Sequence, residues 1–214
     1  MQIIYAALAI LLAYLLGSVP IGVLATRLLK GVEITEIGSG RTGATNVYRV
    51  AGIWGLVLTS VGDVLKGVLA MQVALFFTML AMAVGPHAPW LDWVKPVAGI
   101  ATIAGHNWSV FLKFRGGAGT MTSIGVLAAM NAYVALGVSI LGLIAMVISH
   151  MASVGSITLA LAMGPALAVS AALNVTPWSY VVFGIVGGAF TIYALVPNIK
   201  RILSGQERTL KTDH

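Results

Sequence analysis

Apolar residues fill six long runs of this chain: Ile3 to Leu24, Ile53 to Val84, Trp93 to Phe111, Gly119 to Ser149, Val154 to Leu173 and Trp178 to Pro197. Runs of about 20 apolar residues predict helices that cross an apolar slab roughly 30 Å thick. Two of the runs are longer than one crossing needs. Gly119 to Ser149 would extend about 46 Å as a single helix at 1.5 Å per residue. Divided near Asn131, it gives seven helices. Ile53 to Val84 is kept as one long or tilted helix.

The basic residues test that count. With seven crossings and the N-terminus outside, the inner segments are 25 to 52, 112 to 118, 149 to 153 and 198 to 214. They hold Arg27, Lys30, Arg41, Arg49, Lys113, Arg115, Lys200, Arg201, Arg208 and Lys211, ten of the 12 basic residues, as the positive-inside rule requires. Six crossings would put the basic tail outside, and dividing Ile53 to Val84 as well would put Lys113 and Arg115 outside. The expected fold is therefore an all-α integral membrane protein with seven transmembrane helices, its N-terminus outside and its C-terminus cytoplasmic. It forms a single polytopic domain over 1–214, with 198–214 as a cytoplasmic tail.

Composition agrees: 59% of residues are apolar and 8% charged, against about a quarter charged in soluble domains, and the mean hydropathy is +0.99. There is no Cys, which excludes disulfides, thiolate metal sites and cysteine nucleophiles. The first helix starts at Gln2 without a charged leader region, so it is read as retained. The net charge of +6 lies mostly on the inner face, where it orients the chain and attracts anionic lipid. No basic face is interleaved with aromatics, so nucleic acid is not an expected partner. No cluster has metal-ligand spacing, so neither a metal nor another cofactor is expected.

This topology gathers the polar, glycine-rich pieces on one side. In Gly38 to Asn46, successive N–H groups of glycine-containing turns can form an anion nest, with hydroxyls from Ser39, Thr42 and Thr45 and charge from Arg41 and Arg49. Gly38, Gly40 and Gly43 satisfy G-x-G-x-x-G, but that pattern implies a dinucleotide only between a strand and a helix. The same stretch approaches a phosphate-binding P-loop, with Ala44 in place of its lysine, so no nucleoside triphosphate is inferred. What remains is phosphate cradling as against an ordinary glycine-rich turn.

His106, at the inner end of the third helix, is a general-base candidate or an interfacial histidine that solvates a helix end. His87 and Asp92 match the H-x-x-x-x-D spacing of one class of acyltransferases, but they fall in an outer loop without anion-binding residues. Asp63 and Lys66 lie at i and i+3 in the second helix, either paired structurally or with Lys66 reaching the site from below. Gly17, Gly22, Gly67, Gly187 and Gly188 are read as close-packing residues, and Trp90, Trp93 and Trp178 as interfacial anchors.

In order, "GSVPIG" (17–22), "GSGRTGATNVYRVAG" (38–52), "DVLKG" (63–67), "GHNWSVFLKFRGGAGT" (105–120), "SVGSI" (153–157) and "NIKRILSGQE" (198–207) resemble the bacterial acyl-phosphate glycerol-3-phosphate acyltransferase family over nearly the whole chain. The resemblance implies a seven-helix protein of the bacterial inner membrane with a cytoplasmic site. It implies transfer of a fatty acyl group from acyl phosphate to the 1-hydroxyl of glycerol 3-phosphate, giving lysophosphatidic acid and inorganic phosphate. The implied partners are those two substrates and membrane lipid. Carried over residue by residue, it gives His106 and Ser39 catalytic roles. Substrate binding falls to Gly40, Gly43, Thr45, Asn46, Arg49, Lys66, Gly116 and Gly117, with Ser153, Ser156, Asn198, Arg201 and Glu207 from the later motifs, and the reading of the loop as a phosphate cradle adds Gly38 and Arg41. His106 would orient or deprotonate the acceptor hydroxyl, with the acceptor's own phosphate as a rival base because no carboxylate obviously partners His106.

The chain departs from the family pattern at four places. Family members read GSGN where Arg41 stands and GGK where Ala118 stands. The usual basic residue is replaced by His150, and a His-Arg pair by Leu195 and Val196. Arg41, Lys113 or Arg115 could supply the missing charge, although an arginine does not match a lysine geometrically. The alternative function is a non-catalytic paralogue, or a carrier that binds a phosphorylated solute or lipid. A carrier would show internal repeats and polar openings on both faces, and neither is evident.

Overall fold

A computed structural model describes residues 1–209; Lys211 and the end of the tail lie outside the described residues. The chain is helical: α1 (Gln2–Ser18), α2 (Ile21–Lys30), α3 (Ala44–Ala83), α4 (Val94–Asn107), α5 (Thr120–Met130), α6 (Ala132–Ser149), α7 (Ala152–Ala172), α8 (Ser179–Ala194) and α9 (Val196–Leu203). Short single turns occupy Ile34–Glu36, Pro89–Trp93 and Val110–Leu112. Among the described residues the only β pairing is an isolated bridge between Ser109 and Arg115.

The breaks follow from local chemistry. Pro20 has no N–H and disfavours helical geometry at Val19, so the first apolar run divides into α1 and α2 instead of continuing to Leu24. That break frees carbonyls: Ser18 O accepts from Ser109 Oγ at 2.6 Å and Val19 O from Lys66 Nζ at 3.0 Å. The division expected near Asn131 is present. Asn131 is extended (φ −158°), and its Oδ1 accepts from the N–H groups of Tyr133 and Val134, both at 3.0 Å, which ends α5 and caps α6. The long run from Ile53 is one helix, and it also reaches back to Ala44 through a bend at Gly52, which has φ +66°. Hydropathy missed that extension because Thr45, Asn46 and Arg49 are polar. The third run ends as helix at Asn107, short of Phe111, and α8 and α9 meet at a 61° bend.

Among the described residues, four helices are long and apolar enough to cross a membrane by length and composition: Gln2–Lys30 taken through its break, Ala44–Ala83, Ala132–Ser149 and Ala152–Ala172. The bent pair α8 and α9 makes a fifth, and Thr120–Met130 is apolar but shorter. Helix α1 packs between α3 and α4, α3 packs against α5, and α7 against α6 and α8. Small residues set these approaches: a Cβ at Gly17 would stand 2.1 Å from Thr102 O, and one at Gly67 2.6 Å from Thr122 O. Ile103, Leu127, Met163, Leu167 and Phe183 fill the core between them. Leu136, Leu143, Val147 and Ile148 of α6 point outward as a lipid-type surface. Packing α4 and α5 against α3 brings the C-terminal end of α4, at His106, beside Asp63 and Lys66 in the middle of α3 and Thr122 in the first turn of α5.

Candidate active site

A cavity of about 470 Å³ opens where the loop 37–43 and the N-terminal ends of α3, α5 and α7 meet α9 and the tail. Ala44, Thr120 and Ala152, the first residues of those three helices, line it. None of the three helix starts carries a side-chain cap. Uncapped N–H groups and the positive ends of three helix dipoles therefore converge on one space, which suits an anion. Arg41, Arg49 and Arg201 add formal positive charge to the same walls.

The glycine-rich loop is built by Asn46. Its buried amide accepts from Ser39 N at 3.2 Å and donates to Ile37 O at 3.1 Å and Arg41 O at 2.9 Å. This folds the loop back over the first turn of α3, with Ser39 exposed at the cavity mouth. Gly38 and Gly40 have φ of +66° and +68°, and Gly40 N donates to Ile37 O at 3.1 Å. A Cβ at Gly38 would also stand 2.4 Å from Asn46 Oδ1. Gly38→Ala is therefore expected to unfasten the loop at a cost of ~1–3 kcal/mol, read as a ten- to hundredfold faster hydrogen exchange at the Ser39 amide. Unchanged exchange would refute this account of the loop.

Across the cavity Arg41 donates through Nη1 to Asn198 Oδ1 at 3.0 Å and through Nη2 to Ala194 O. Burial, and then the neighbouring Arg201 charge, pull the Arg41 pKa below its ordinary value, with Glu207 acting against them. Glu207 ties the tail down: its carboxylate accepts from Ser153 Oγ at 2.8 Å, Asn198 Nδ2 at 2.7 Å and Arg201 Nε at 2.8 Å. Burial alone would raise the Glu207 pKa, but the hydrogen bonds from Asn198, Ser153 and Arg201, and the Arg201 charge, hold it below the usual carboxylate value. This depressed pKa stabilises the fold above the ordinary carboxylate range. The contribution disappears as pH falls through the lower native value.

At the cavity floor lies a buried knot of ionisable side chains. His106 Nδ1 is 2.9 Å from Lys66 Nζ, 3.1 Å from Thr122 Oγ1 and 3.5 Å from Asp63 Oδ1, and Lys66 Nζ is 2.9 Å from the same Asp63 oxygen. The expectation that no carboxylate partners His106 is thus overturned: α3 carries Asp63 to it from 43 positions away in sequence. Asp63 and Lys66 do pair, and both also face His106. An ammonium has only donors, so a charged Lys66 requires Nδ1 to accept and leaves the ring proton to Nε2. Gly116 and Gly117 fold against this residue; Gly117 N donates to His106 O at 3.2 Å. A Cβ at Gly117 would stand 2.2 Å from His106 Nε2, and one at Gly116 2.0 Å from His106 O.

The cavity therefore unites Gly38, Ser39, Arg41, Gly43, Thr45, Asn46 and Arg49 of the first motif with His106, Ser153, Ser156, Asn198, Arg201 and Glu207. Four expected ligand residues stand one layer behind its wall. Gly40 makes the loop turn, Lys66 is committed to Asp63 and His106, and Gly116 and Gly117 pack on His106. Of the cations offered as replacements only Arg41 lines the cavity; Lys113 and Arg115 are exposed beyond it, whereas Ala118 and Leu195 do line it. His87 and Asp92 meet each other at 3.5 Å in their exposed loop and do not line the cavity. Sequence reading missed Thr120, Ala152 and Arg208 as lining residues, and Thr122 as a His106 contact. The uncapped helix starts were a usable signal for the first two; Thr122 carried none.

A protein-family model described as "Glycerol-3-phosphate acyltransferase" matches residues 7–205. A Nostoc sp. protein named glycerol-3-phosphate acyltransferase is 41% identical over 208 residues, covering 92% of this chain and 88% of the relative. The crystal structure of PlsY (YgiH), an integral membrane glycerol 3-phosphate acyltransferase, in its glycerol 3-phosphate form superposes with a TM-score of 0.80 at 33% identity. The match covers 96% of this chain and 95% of that one. Its lysophosphatidic acid form gives a TM-score of 0.78, covering 95% and 94%. The all-helical integral membrane architecture is shared.

Proposed function

The chain belongs to the glycerol-3-phosphate acyltransferase family, and we propose that its cavity moves a fatty acyl group from acyl phosphate to the 1-hydroxyl of glycerol 3-phosphate. It is a membrane glycerol-3-phosphate acyltransferase. The observation that carries the detailed reading is the convergence of three uncapped helix starts and four arginines, Arg41, Arg49, Arg201 and Arg208, on one cavity beside His106. Both substrates bring a phosphate, and this cavity offers donors and charge for more than one.

In this reading the acceptor hydroxyl oxygen attacks the acyl carbonyl, the bond from that carbonyl to the phosphate oxygen breaks, and inorganic phosphate leaves. His106 orients the acceptor as an Nε2–H donor. With its Nδ1 occupied by Lys66, the ring has no free lone pair for a proton, so the acceptor's own phosphate takes it. Charge that develops on the carbonyl oxygen and the leaving phosphate is met by helix-start N–H groups and by Arg41, Arg49 and Arg201. Ser39 closes the mouth over the reacting groups. Arg41 supplies the fixed charge on the wall that Ala118 leaves neutral.

The topology proposed with this function has seven crossings in one domain spanning 1–214. It counts α1 with α2, α3, α4, α5, α6, α7, and α8 with α9, places the N-terminus outside and puts the cavity on the cytoplasmic side of the bacterial inner membrane. The distribution of basic residues supports it. The test is phosphate release by purified protein from acyl phosphate, with and without glycerol 3-phosphate, while the lipid product is followed. Acceptor-dependent release with lysophosphatidic acid is expected. Silence from folded protein would overturn this reading and leave a paralogue that binds phosphorylated ligands without the transfer.

A further inference from the structure

The segment between α4 and α5 is a tight hairpin whose features are not explained by the cavity. Ser109 N donates to Arg115 O at 3.1 Å, Phe114 N to Ser109 O at 2.8 Å and Arg115 N to Leu112 O at 3.1 Å. The turn places Lys113 at φ +53° and Phe114 at φ +60°. Paired left-handed residues in such a turn are ordinarily Asn-Gly, because a Cβ is disfavoured there, and a bulky aromatic is a clear outlier. Ser109 and Leu112 tie the hairpin to the protein, but the side chains at its tip point away from it. Phe111 is 58% exposed and Phe114 64%, and neither ring stacks on another among the described residues. Lys113 and Arg115 are exposed and have no ion-pair partner among the described residues.

Depth supplies the missing partner. Helix α4 follows the interfacial Trp93 and has 14 residues, about 21 Å at 1.5 Å per residue, against a hydrocarbon core of roughly 30 Å. A hairpin at the end of so short a crossing starts before the chain reaches water. Its aromatics then lie at the acyl boundary, with its cations at the height of the headgroups. We infer that the hairpin Ser109–Arg115 is an interfacial anchor: Phe111 and Phe114 enter the inner leaflet while Lys113 and Arg115 hold the phosphates of anionic phospholipid. Burial in lipid then offsets the strained turn. The hairpin runs directly into Gly116 and Gly117, so its seating also fixes the glycine pair that packs on His106. The inference rests on α4 crossing the membrane and is independent of the acyl transfer.

The absence of native cysteine permits a direct test. Phe111→Cys and Phe114→Cys, each carrying a nitroxide, are placed in the full-length protein in vesicles of phosphatidylcholine and phosphatidylglycerol at 3:1. Leu136→Cys on the outward face of α6 serves as a lipid reference. Both hairpin labels are expected to collide with oxygen in preference to a water-soluble nickel chelate, as the reference does. Preferential collision with the chelate would overturn the anchor and leave the surface for a soluble partner. Separately, native mass spectrometry of unlabelled protein should show phosphatidylglycerol retained over phosphatidylcholine. Lys113→Gln with Arg115→Gln should weaken that preference by roughly fivefold or more. An unchanged preference would overturn the headgroup contact. Neither readout depends on turnover, so failure of the anchor and failure of the acyltransferase reading are separable.

Discussion

Lys66→Met is expected to destabilise the fold by about 3–5 kcal/mol, because it leaves the Asp63 carboxylate buried without its cation. Asp63 and Lys66 are 3% and 6% exposed at their side chains and 2.9 Å apart, so each relies on the other for its countercharge. The ammonium also donates to Val19 O at the break made by Pro20 and to His106 Nδ1. Its loss therefore releases the α1–α2 junction and the histidine together. Adding Asp63→Asn should recover part of the loss, since removing both charges also removes both desolvation costs. Intrinsic tryptophan fluorescence followed through thermal unfolding in detergent would measure the three variants. A single variant within 1 kcal/mol of the native protein, or strictly additive losses, would mean that the knot is not an energetic unit. The double variant should still lack activity, because His106 would no longer be held in its Nε2–H form.

Gly117→Ala is expected to reduce turnover about a hundredfold while leaving the protein folded, equivalent to roughly 2.7 kcal/mol of barrier. The added Cβ would stand 2.2 Å from His106 Nε2, the far edge of a side chain that can rotate away but not without losing its orientation toward the cavity. Gly116→Ala is the contrasting case. Its Cβ would meet His106 O at 2.0 Å and Asn107 O at 2.7 Å, and backbone cannot rotate away, so that variant should fail in folding rather than in turnover. The pair separates placement of the His106 ring from general damage to the chain. Full turnover by a folded Gly117→Ala protein would remove His106 from the reaction.

Long apolar runs located most helices because each must present apolar surface to lipid or core, and that demand is written residue by residue. Asn131 marked the break between α5 and α6 in the same local way, since its side chain caps the helix that follows. The glycine-rich loop was legible because its positive-φ positions need Gly, and the motif order carried the family. Local signals ended where the chemistry depended on neighbours remote in sequence. The α3 extension over Ala44–Ala51 was hidden because its polar residues face a cavity instead of lipid. Asp63 gave no sign of its tie to His106, and Gly116 and Gly117 read as ligand contacts although their lack of side chains serves the packing of that histidine.

By itself the sequence determined the membrane character, the position of most helices, the loop chemistry and the family, all of which follow from short-range composition and order. Only the tertiary structure decided that three uncapped helix starts face one cavity and that Arg41, not Lys113 or Arg115, reaches it. It also decided that Lys66 and Asp63 stand beside His106 Nδ1. The physical reason is that electrostatic fields and hydrogen bonds act over a few ångströms of space, and packing α3 against α4 and α5 brings within that range groups that the chain order keeps far apart.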